Sequence, residues 1–469
     1  MDSLTEDLWG IILVRLPLKS IATSKLVCKR WKTRLESPFL RKLFLSHHQN
    51  AHSLWSLILK DNQQEAVSHY GCEIWGLPPQ QLGSYISTFI TAAFLNRREK
   101  ARVVAYTDVG LILIRVVSVL GNVTLYVANP VSRECVETDP PWCEAEEDYQ
   151  NLGLATQTDE TGTVLGYKVV LLYDAKQRTK SFNLLIYSSE TGLWRQETVE
   201  FPYSSRRYHQ EFGYSISLNG NLHWVARNDM GDEVVVSIDF YGSDHPVCRV
   251  THFPDIEELP RFQRSCTVSK GSLMYMNVVR QGDEHKLSVW RLTSSWEWQL
   301  VAEISYNKDG YHNVPLAINP FDAETIYFWN NKDRCLVSMN VRIGEFVLQG
   351  KLDRSSSSDG CILRSTQGKI IIQLAQEFSS FVVPKWLYRI PTTVANNSRQ
   401  PNSSSIPTFI WWPPPRTPQP NNEPADSSNP FVICTRKNRK QKQSVKGNSS
   451  LSTAHHVATA NRYSMLEDI

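Results

Sequence analysis

Leu4-Thr-Glu-Asp-Leu-Trp-Gly-Ile-Ile-Leu-Val-Arg-Leu-Pro-Leu-Lys-Ser20 stands near the start of the chain and continues through Leu26-Val-Cys-Lys-Arg-Trp31 to Ser37-Pro-Phe39. The pattern predicts a set of short helices. Thr5 suits an N-cap, with Glu6 and Asp7 in the first turn, where carboxylates meet the positive end of the helix dipole. Leu8, Ile11, Ile12 and Leu16 recur at helical spacing as one apolar stripe. Pro17 ends that helix, because it has no N–H and restricts the residue before it. Ser20 suits the cap of a second stretch, in which Leu26, Val27, Trp31 and Leu35 repeat the spacing. Ser37-Pro38 opens a third, with Ser as cap and Pro at the first helical position. Roughly forty residues of such helix make a poor core by themselves. Two readings follow: a cap that packs on the rest of the chain, or a docking module whose apolar face is completed by another protein.

Glu6-Asp7-Leu8, Ile12-Leu-Val-Arg-Leu-Pro-Leu-Lys-Ser20, Val27-Cys-Lys-Arg-Trp31 and Ser37-Pro-Phe39 together resemble an F-box of the plant type, nearly position for position. Thr5 departs from the family, which usually has Pro after the leading Leu; the capping role survives that change. The resemblance implies docking on the Skp-type adaptor of a cullin–RING ubiquitin ligase. The docking residues it implies are Leu4, Leu8, Ile11, Ile12, Leu16, Pro17, Val27 and Trp31. Some of these must instead hold the helices to one another, and spacing does not sort them.

At 469 residues the chain has material for more than one domain. Hydrophobic content of 41% and charged content of 21% are those of an ordinary soluble protein. The longest apolar runs, near Val109–Val119 and Val164–Leu172, are strand-sized and too short to span a bilayer. An acidic, amphipathic start is unlike a secretory signal, so the expected location is cytoplasmic and/or nuclear. The nine cysteines are scattered, odd in number and form no CxxC pair, which predicts reduced, mostly buried thiols with no zinc site. Of the net charge of +3, the segment from Pro391 onward carries more than its share, with nine basic against four acidic residues. The body before it is slightly acidic, which argues against a nucleic-acid-binding domain.

From about Ala101 to Pro391 the pattern is strand-like. Lys168-Val-Val-Leu-Leu-Tyr173, Val234-Val-Val-Ser-Ile-Asp-Phe240 and Lys369-Ile-Ile-Ile-Gln373 are short, β-branched or aromatic, and bounded by Gly, Asn, Asp and Ser. A small or polar residue, Gly, then a strand recurs at Gly110, Gly220, Gly271 and Gly368, at one or two steps of roughly fifty residues. Gly166-Tyr-Lys-Val-Val and Asn319-Pro-Phe-Asp fill the skipped places. A second landmark, a polar turn ending in an aromatic, falls half a step later at Thr191-Gly-Leu-Trp194, Ser295-Trp-Glu-Trp298 and Ile343-Gly-Glu-Phe346. Gly242-Ser-Asp-His-Pro246 and Asn129-Pro-Val-Ser-Arg-Glu-Cys135 stand in the remaining places. Two hairpins per step make a four-stranded unit, and stacking such units closes most naturally into a ring, a β-propeller of about six blades. A pair of β-sandwiches is the alternative; a linear array would leave its edges exposed. The last blade has little room before the tail, so an N-terminal strand, best placed at Ser53-Leu-Trp-Ser-Leu-Ile-Leu59, is expected to close the ring.

The body also resembles the F-box-associated, kelch-like domains of plant proteins. The matching pieces are Ala128-Asn-Pro-Val-Ser-Arg133, Gly166-Tyr-Lys-Val-Val170, Ile186-Tyr-Ser-Ser-Glu-Thr-Gly-Leu-Trp-Arg195, Leu218-Asn-Gly-Asn-Leu-His-Trp224, Leu287-Ser-Val-Trp-Arg-Leu292 and Pro315-Leu-Ala-Ile-Asn-Pro-Phe321. The kelch double glycine is absent. The expected organisation is therefore an all-α F-box at 1–46, a connector at 47–100 holding the ring-closing strand, an all-β propeller at 101–390, and a disordered tail at 391–469. That tail is polar, proline-rich at Pro413–Pro420 and basic at Arg436–Lys442, and cannot bury enough surface to fold alone. The basic run suits a nuclear import signal, a nucleic-acid contact or simple solubilisation.

Motifs of catalysis are absent: there is no HExxH, GxSxG, P-loop or dinucleotide fingerprint. His47-His48 and His455-His456 are adjacent pairs without helix-face ligand spacing, and no cofactor or metal is expected. The resemblance thus implies a non-catalytic adaptor that tethers a protein substrate beside a charged ubiquitin-conjugating enzyme. The alternatives are a propeller-fold enzyme, or a non-degradative scaffold using the F-box as an interaction module. For substrate contact the inter-blade stretch Ser204-Ser-Arg-Arg-Tyr-His209 stands out. Its Arg206, Arg207 and Tyr208 are of the types that dominate binding hot spots.

Overall fold

Pro17 ends the first helix, and the helical N-terminus is built of four short pieces: α1 (Glu6–Leu13), α2 (Leu18–Ser24), α3 (Lys29–Leu35) and α4 (Pro38–His47). The structure, a computed structural model, describes residues 5–392 except 26, 49–54, 60–63, 69–81, 95–99, 139, 141–151, 161, 174–180, 202–213, 228–231, 244, 256–262, 282–283, 308–312, 331–334, 351–377, 385 and 387. Thr5 occupies the N-cap position of α1 in extended conformation, but its side chain makes no capping bond. Ser20 lies inside α2, which starts directly after Pro17, and the stretch expected to be one helix is broken into α2 and α3. Ser37 caps α4 as expected: its hydroxyl accepts from the Leu40 N–H at 3.2 Å, with Pro38 at the first helical position.

Five four-stranded antiparallel sheets follow in chain order. The first holds β3–β6 (Lys100–Tyr106, Ile112–Val117, Val123–Asn129, Glu134–Thr138), the second β7–β10 (Leu152–Thr158, Val164–Tyr173, Ser181–Ser188, Leu193–Glu200). The third is β11–β14 (Ile216–Leu218, Asn221–Arg227, Glu233–Asp239, Val247–His252). The fourth is β15–β18 (Gln263–Ser269, Ser272–Gln281, Glu284–Leu292, Trp298–Asn307), and the fifth β19–β22 (Asn313–Ile318, Thr325–Asn330, Cys335–Asn340, Phe346–Gly350). Both predicted turn series are present. Gly110, Gly220 and Gly271 turn the first strand of a sheet into the second, and Gly192, Trp296 and Gly344 turn the third into the fourth. One position is corrected. Gly166 lies inside β8, and the turn of the second sheet is made four residues earlier at Gly162, whose φ of 77° is left-handed. The expected strand at Lys369–Gln373, with its Gly368 turn, lies outside the described residues.

The sixth sheet joins the two ends of the domain. Trp55–Leu59 (β1) pairs on one side with Gln64–Ser68 (β2) and on the other with Phe378–Val382 (β23), both antiparallel. The first strands of successive sheets neighbour one another around the ring, and β23 lies between β19 and β3. Closure therefore rests on hydrogen bonds between segments more than three hundred residues apart, from Trp55↔Val382 to Leu59↔Phe378. Gly110 permits the last close approach. It has φ 83°, and a Cβ there would lie 2.5 Å from Pro384 Cδ and 2.7 Å from the Val382 carbonyl oxygen.

The connector holds one element that the strand reading overlooked, α5 (Leu82–Phe94). Its Ile86, Phe89, Ile90 and Phe94 recur at helical spacing and are all buried. They enter one continuous core with Leu13, Val14, Leu18, Ile21, Leu35, Leu40 and Phe44 of the four-helix segment, Ile58 and Phe381 of the closing sheet, and Ile112, Ile114 and Ala128 of the first blade. The helical segment and the ring share this core, so the cap reading and the docking reading are both physically open for α1–α4. Which faces stay uncovered decides between them.

Candidate partner-docking site

Helix α1 is sorted by its two faces. Leu13 and Val14 just beyond it point inward and are buried, whereas Leu8, Ile11 and Ile12 are 45%, 45% and 46% exposed. Trp9 packs edge-on against Trp31 of α3, ring centroids 4.8 Å apart, with the Arg34 guanidinium 5.6 Å from the Trp9 ring. Gly10 is where α1 crosses α4. A Cβ there would lie 3.0 Å from Leu43 Cδ2 and 4.0 Å from Phe39 Cε1, so the absent side chain lets the helices approach. Val27 and Phe39 are exposed as well, at 67% and 63%. Leaving this many large apolar side chains in water forgoes about 1.5–3 kcal/mol each.

The residues implied as docking contacts thus divide. Leu8, Ile11, Ile12 and Val27 present apolar surface to solvent. Leu16 and Trp31 are half-buried and pack against the shared core; Pro17, also half-buried, is the N-cap of α2. Leu4 lies outside the described residues. Phe39 was missed, because Ser37-Pro38 accounts for that stretch as a helix start and gives the next residue no orientation.

The helical segment is fixed to the ring by more than its core. Arg41 Nη2 of α4 donates to both Asp159 oxygens, at 3.1 and 3.2 Å, on the β7–β8 turn. Asp159 Oδ1 also accepts from the Thr163 N–H at 2.9 Å, so the same carboxylate shapes the turn. Phe44 packs on Trp386 with centroids 5.0 Å apart, while within the helical segment His48 Nε2 lies 2.7 Å from the Val14 carbonyl oxygen. Beyond Trp386 the chain crosses the first blade: Tyr388 donates to the Val109 carbonyl at 2.6 Å, and the Ile390 N–H to Glu134 Oε2 at 3.4 Å.

An antiparallel four-stranded sheet places its first and third turns at one end and its middle turn and exit at the other. Asp159 and Gly110 belong to the end with the short turns. The fourth strands of the first three sheets end, and the first strands of the next sheets begin, at the opposite end, on either side of residues 139–151, 202–213 and 256–262. Segments between secondary-structure elements carry binding residues more often than the elements do. Arg206, Arg207 and Tyr208 fall in one of these segments, outside the described residues, and its flanks Phe201 and Tyr214 stand at that end.

Charged groups gather at the same end, between the third and fourth blades. Arg264 Nη1 donates to Glu233 Oε2 at 2.6 Å and Nε to Tyr275 Oη at 3.0 Å, with Nη2 3.4 Å from Asp255 Oδ2. Tyr275 Oη and Asn277 Nδ2 donate to Asp255 Oδ2 at 2.5 and 2.8 Å, and Arg264 lies over the Phe253 ring at 4.9 Å. Burial pushes the Tyr275 phenol well above its usual range. The arrangement is a mutually paired inter-blade network, suited to locking two blades together. Among the described residues no group of three or more His, Cys, Asp or Glu is placed to hold a metal ion. None of the five described cysteines is in a disulfide; Cys335 is buried, Cys28 is exposed before α3, and the other three are half-buried.

Comparison with known families settles the identity of both parts. The F-box domain model matches residues 1–43, and the model for "F-box protein At3g26010-like, beta-propeller" matches residues 53–392. The chain belongs to this family of F-box β-propeller proteins. Among its relatives in Arabidopsis thaliana, F-box protein At3g28330 is 49% identical over 407 residues, covering 84% of this chain and 97% of the relative. F-box protein At3g26010 is 30% identical over 405 residues (83% and 90%), and F-box protein At1g49990 31% over 428 (81% and 96%). In this F-box the four helices are those of α1–α4, and their exposed apolar stripe lies on the far side of α1 from the propeller-facing core. In this propeller the ring is closed by β1, the first strand after the F-box.

Proposed function

We propose that this F-box protein is the substrate-recognition adaptor of a Skp–cullin–F-box ubiquitin ligase, its F-box docking on the Skp-type adaptor and its propeller holding a protein substrate. The observation that carries the reading is the exposed Leu8-Ile11-Ile12 stripe on a helical module whose opposite side enters the core it shares with the propeller. A docking helix needs an uncovered apolar face, and a cap would have buried it. The protein's part is non-catalytic. It fixes the distance between the Skp-binding face and the propeller, and so raises the effective concentration of substrate lysines at the conjugating enzyme. The end opposite the short turns, including Arg206, Arg207 and Tyr208, is the proposed substrate face, and the cytosol or nucleus the proposed place of action.

Affinity capture of the full chain, wild type beside Leu8→Asp/Ile12→Asp, tests this. The Skp-type adaptor and a cullin are expected with wild type only. Their equal recovery with the variant, or absence from both, overturns the docking face. Reconstitution with conjugating enzyme then separates an adaptor, which promotes ubiquitination of its bound protein, from a non-degradative scaffold.

A further inference from the structure

Ser118-Val-Leu-Gly-Asn122 joins β4 to β5 and is the middle turn of the first blade. It stands at the end opposite Asp159, the residue that Arg41 of the F-box grips. Three hydrogen bonds fix its backbone. The Ser118 N–H donates to the Asn122 carbonyl at 2.9 Å, the Gly121 N–H to the Ser118 carbonyl at 3.0 Å, and the Asn122 N–H to the Ser118 hydroxyl at 3.1 Å. Gly121 has a φ of 85°. The same set of bonds builds three turns at the other end, at 107–111, 159–163 and 293–297. Those turns hold Asp108-Val109, Glu160-Thr161 and Ser294-Ser295 in their central places, so the geometry makes no demand for an apolar pair. Here the pair is Val119-Leu120, 73% and 87% exposed, the two most exposed large apolar side chains among the described residues.

The strand ladder below the tip brings cations beside it. Lys100 pairs with Val117, two positions from Val119, and Arg102 pairs with Arg115. Lys100 and Arg102 are exposed, a local positive excess on a body that is slightly acidic overall. Arg102 Nη2 donates to Tyr214 Oη at 2.8 Å, which continues the row from the first blade to the mouth of the channel, where Tyr214 stands. Val117 and Val123, the last pair before the turn, pack into the core of the blade and hold the tip from below.

We propose that the Val119-Leu120 tip, with Lys100 and Arg102 beside it, is the anchor for an acidic, apolar segment of a substrate protein. Leu, Ile or Phe side chains of that segment cover the tip, and its carboxylates meet the two cations. The proposal rests on the adaptor reading of the propeller. Because the turn is already ordered, covering it gains apolar contact without the entropy cost of ordering a loop. Charge selects among apolar partners, since a basic segment is repelled by Lys100 and Arg102.

The test is selection of a random dodecapeptide phage library on the full chain, with affinities of the enriched peptides read by fluorescence polarisation. Enriched sequences are expected to set Leu, Ile or Phe beside Asp or Glu, and to bind wild type more weakly as salt is raised. Leu120→Ser is expected to weaken them at least about tenfold, the value of one buried leucine. Lys100→Glu is expected to weaken them too. Both positions are exposed, so both variants are expected to fold, and the salt dependence is read on wild type. No enrichment, enrichment without acidic residues, salt-independent binding, or equal affinity for Leu120→Ser overturns the proposal. Binding to phosphatidylserine vesicles that is lost in Leu120→Ser assigns the tip to a membrane and overturns it. Peptide binding that appears only when Glu144, Glu146, Glu147 and Asp148 are changed to their amides assigns the tip to the chain's own acidic stretch, and also overturns it. The two readings fail separately. Peptides bound equally by wild type and Leu8→Asp/Ile12→Asp uphold the anchor even where no Skp-type adaptor is captured. An adaptor captured by a wild type that enriches no peptide overturns the anchor alone.

Discussion

Arg41 in the last F-box helix grips Asp159 on a turn of the second propeller blade through one nitrogen, at 3.1 and 3.2 Å to the two carboxylate oxygens. The pair joins residues 118 positions apart and is part-buried. It lies beside, not within, the shared core, so it sets the angle of the F-box more than its attachment. A partly exposed pair contributes about 1 kcal/mol or less. Arg41→Ala is expected to lower stability by about that amount and to raise proteolytic cleavage between the F-box and the propeller. A double-mutant cycle with Asp159→Asn isolates the pair energy; zero coupling would show the two side chains to be independent.

Phe44 and Trp386 carry the attachment itself, with ring centroids 5.0 Å apart in the continuous core. Trp386→Ala is expected to cost about 3–5 kcal/mol and to give a separate, earlier melting step for the helical region. A single cooperative transition with unchanged midpoint would show that the strap through Trp386 does not hold the F-box.

Ring closure depends on β1, which is bonded on both sides, with Leu57 opposite Val67 and Ser380. Proline there removes an N–H from a central strand and is expected to cost about 3 kcal/mol or more. Leu57→Pro should therefore open the ring, read as lost near-ultraviolet circular dichroism and raised hydrogen exchange in both β1 and β23. Protection retained in β23 would show that closure is held elsewhere.

Leu8→Asp/Ile12→Asp is expected to leave the melting curve nearly unchanged, because both positions are nearly half exposed, and surface changes usually fall within about 0.5 kcal/mol each. Loss of folding in this variant would show that the stripe is structural.

His223 gives the pH dependence. It is buried beside the Ser237 hydroxyl at 2.7 Å, and burial lowers its pKa to about 4 from the unfolded 6.5. A histidine that resists protonation in the folded state stabilises it above pH 6.5, and that contribution is lost as pH falls toward 4. The loss is about 3 kcal/mol at most. Asp108 acts with the opposite sign: its carboxyl is raised to about 6, so its burial cost is relieved over the same acid range. Denaturant unfolding between pH 7 and pH 4 should show His223→Gln losing less stability than wild type, and Asp108→Asn losing more. Parallel curves for wild type and His223→Gln would exclude the histidine.

Much of this was legible in the primary structure because it is local. Ser37-Pro38 caps a helix, Asn219-Gly220 and Lys270-Gly271 turn strands, and their spacing of roughly fifty residues announces stacked four-stranded blades without any knowledge of contacts. Gly162 was displaced to Gly166 because both precede a strand, and only the ladder shows that Gly166 already lies within it. Helix α5 has a readable stripe, Ile86-Phe89-Ile90-Phe94, whose β-branched and aromatic residues suit a strand as well as a helix.

The sequence by itself determined the element types, the repeat and the F-box, since hydrophobic period and turn chemistry act over a few residues. Tertiary structure alone decided which apolar residues of α1–α4 face water, because a stripe of Leu8, Ile11, Ile12 and Leu16 has no inside until a second surface covers part of it. It also decided the meeting of Arg41 with Asp159 and of Asp108 with Asn219. Such pairs form only when the ring closes and distant turns are brought to one end, and no local pattern encodes that approach.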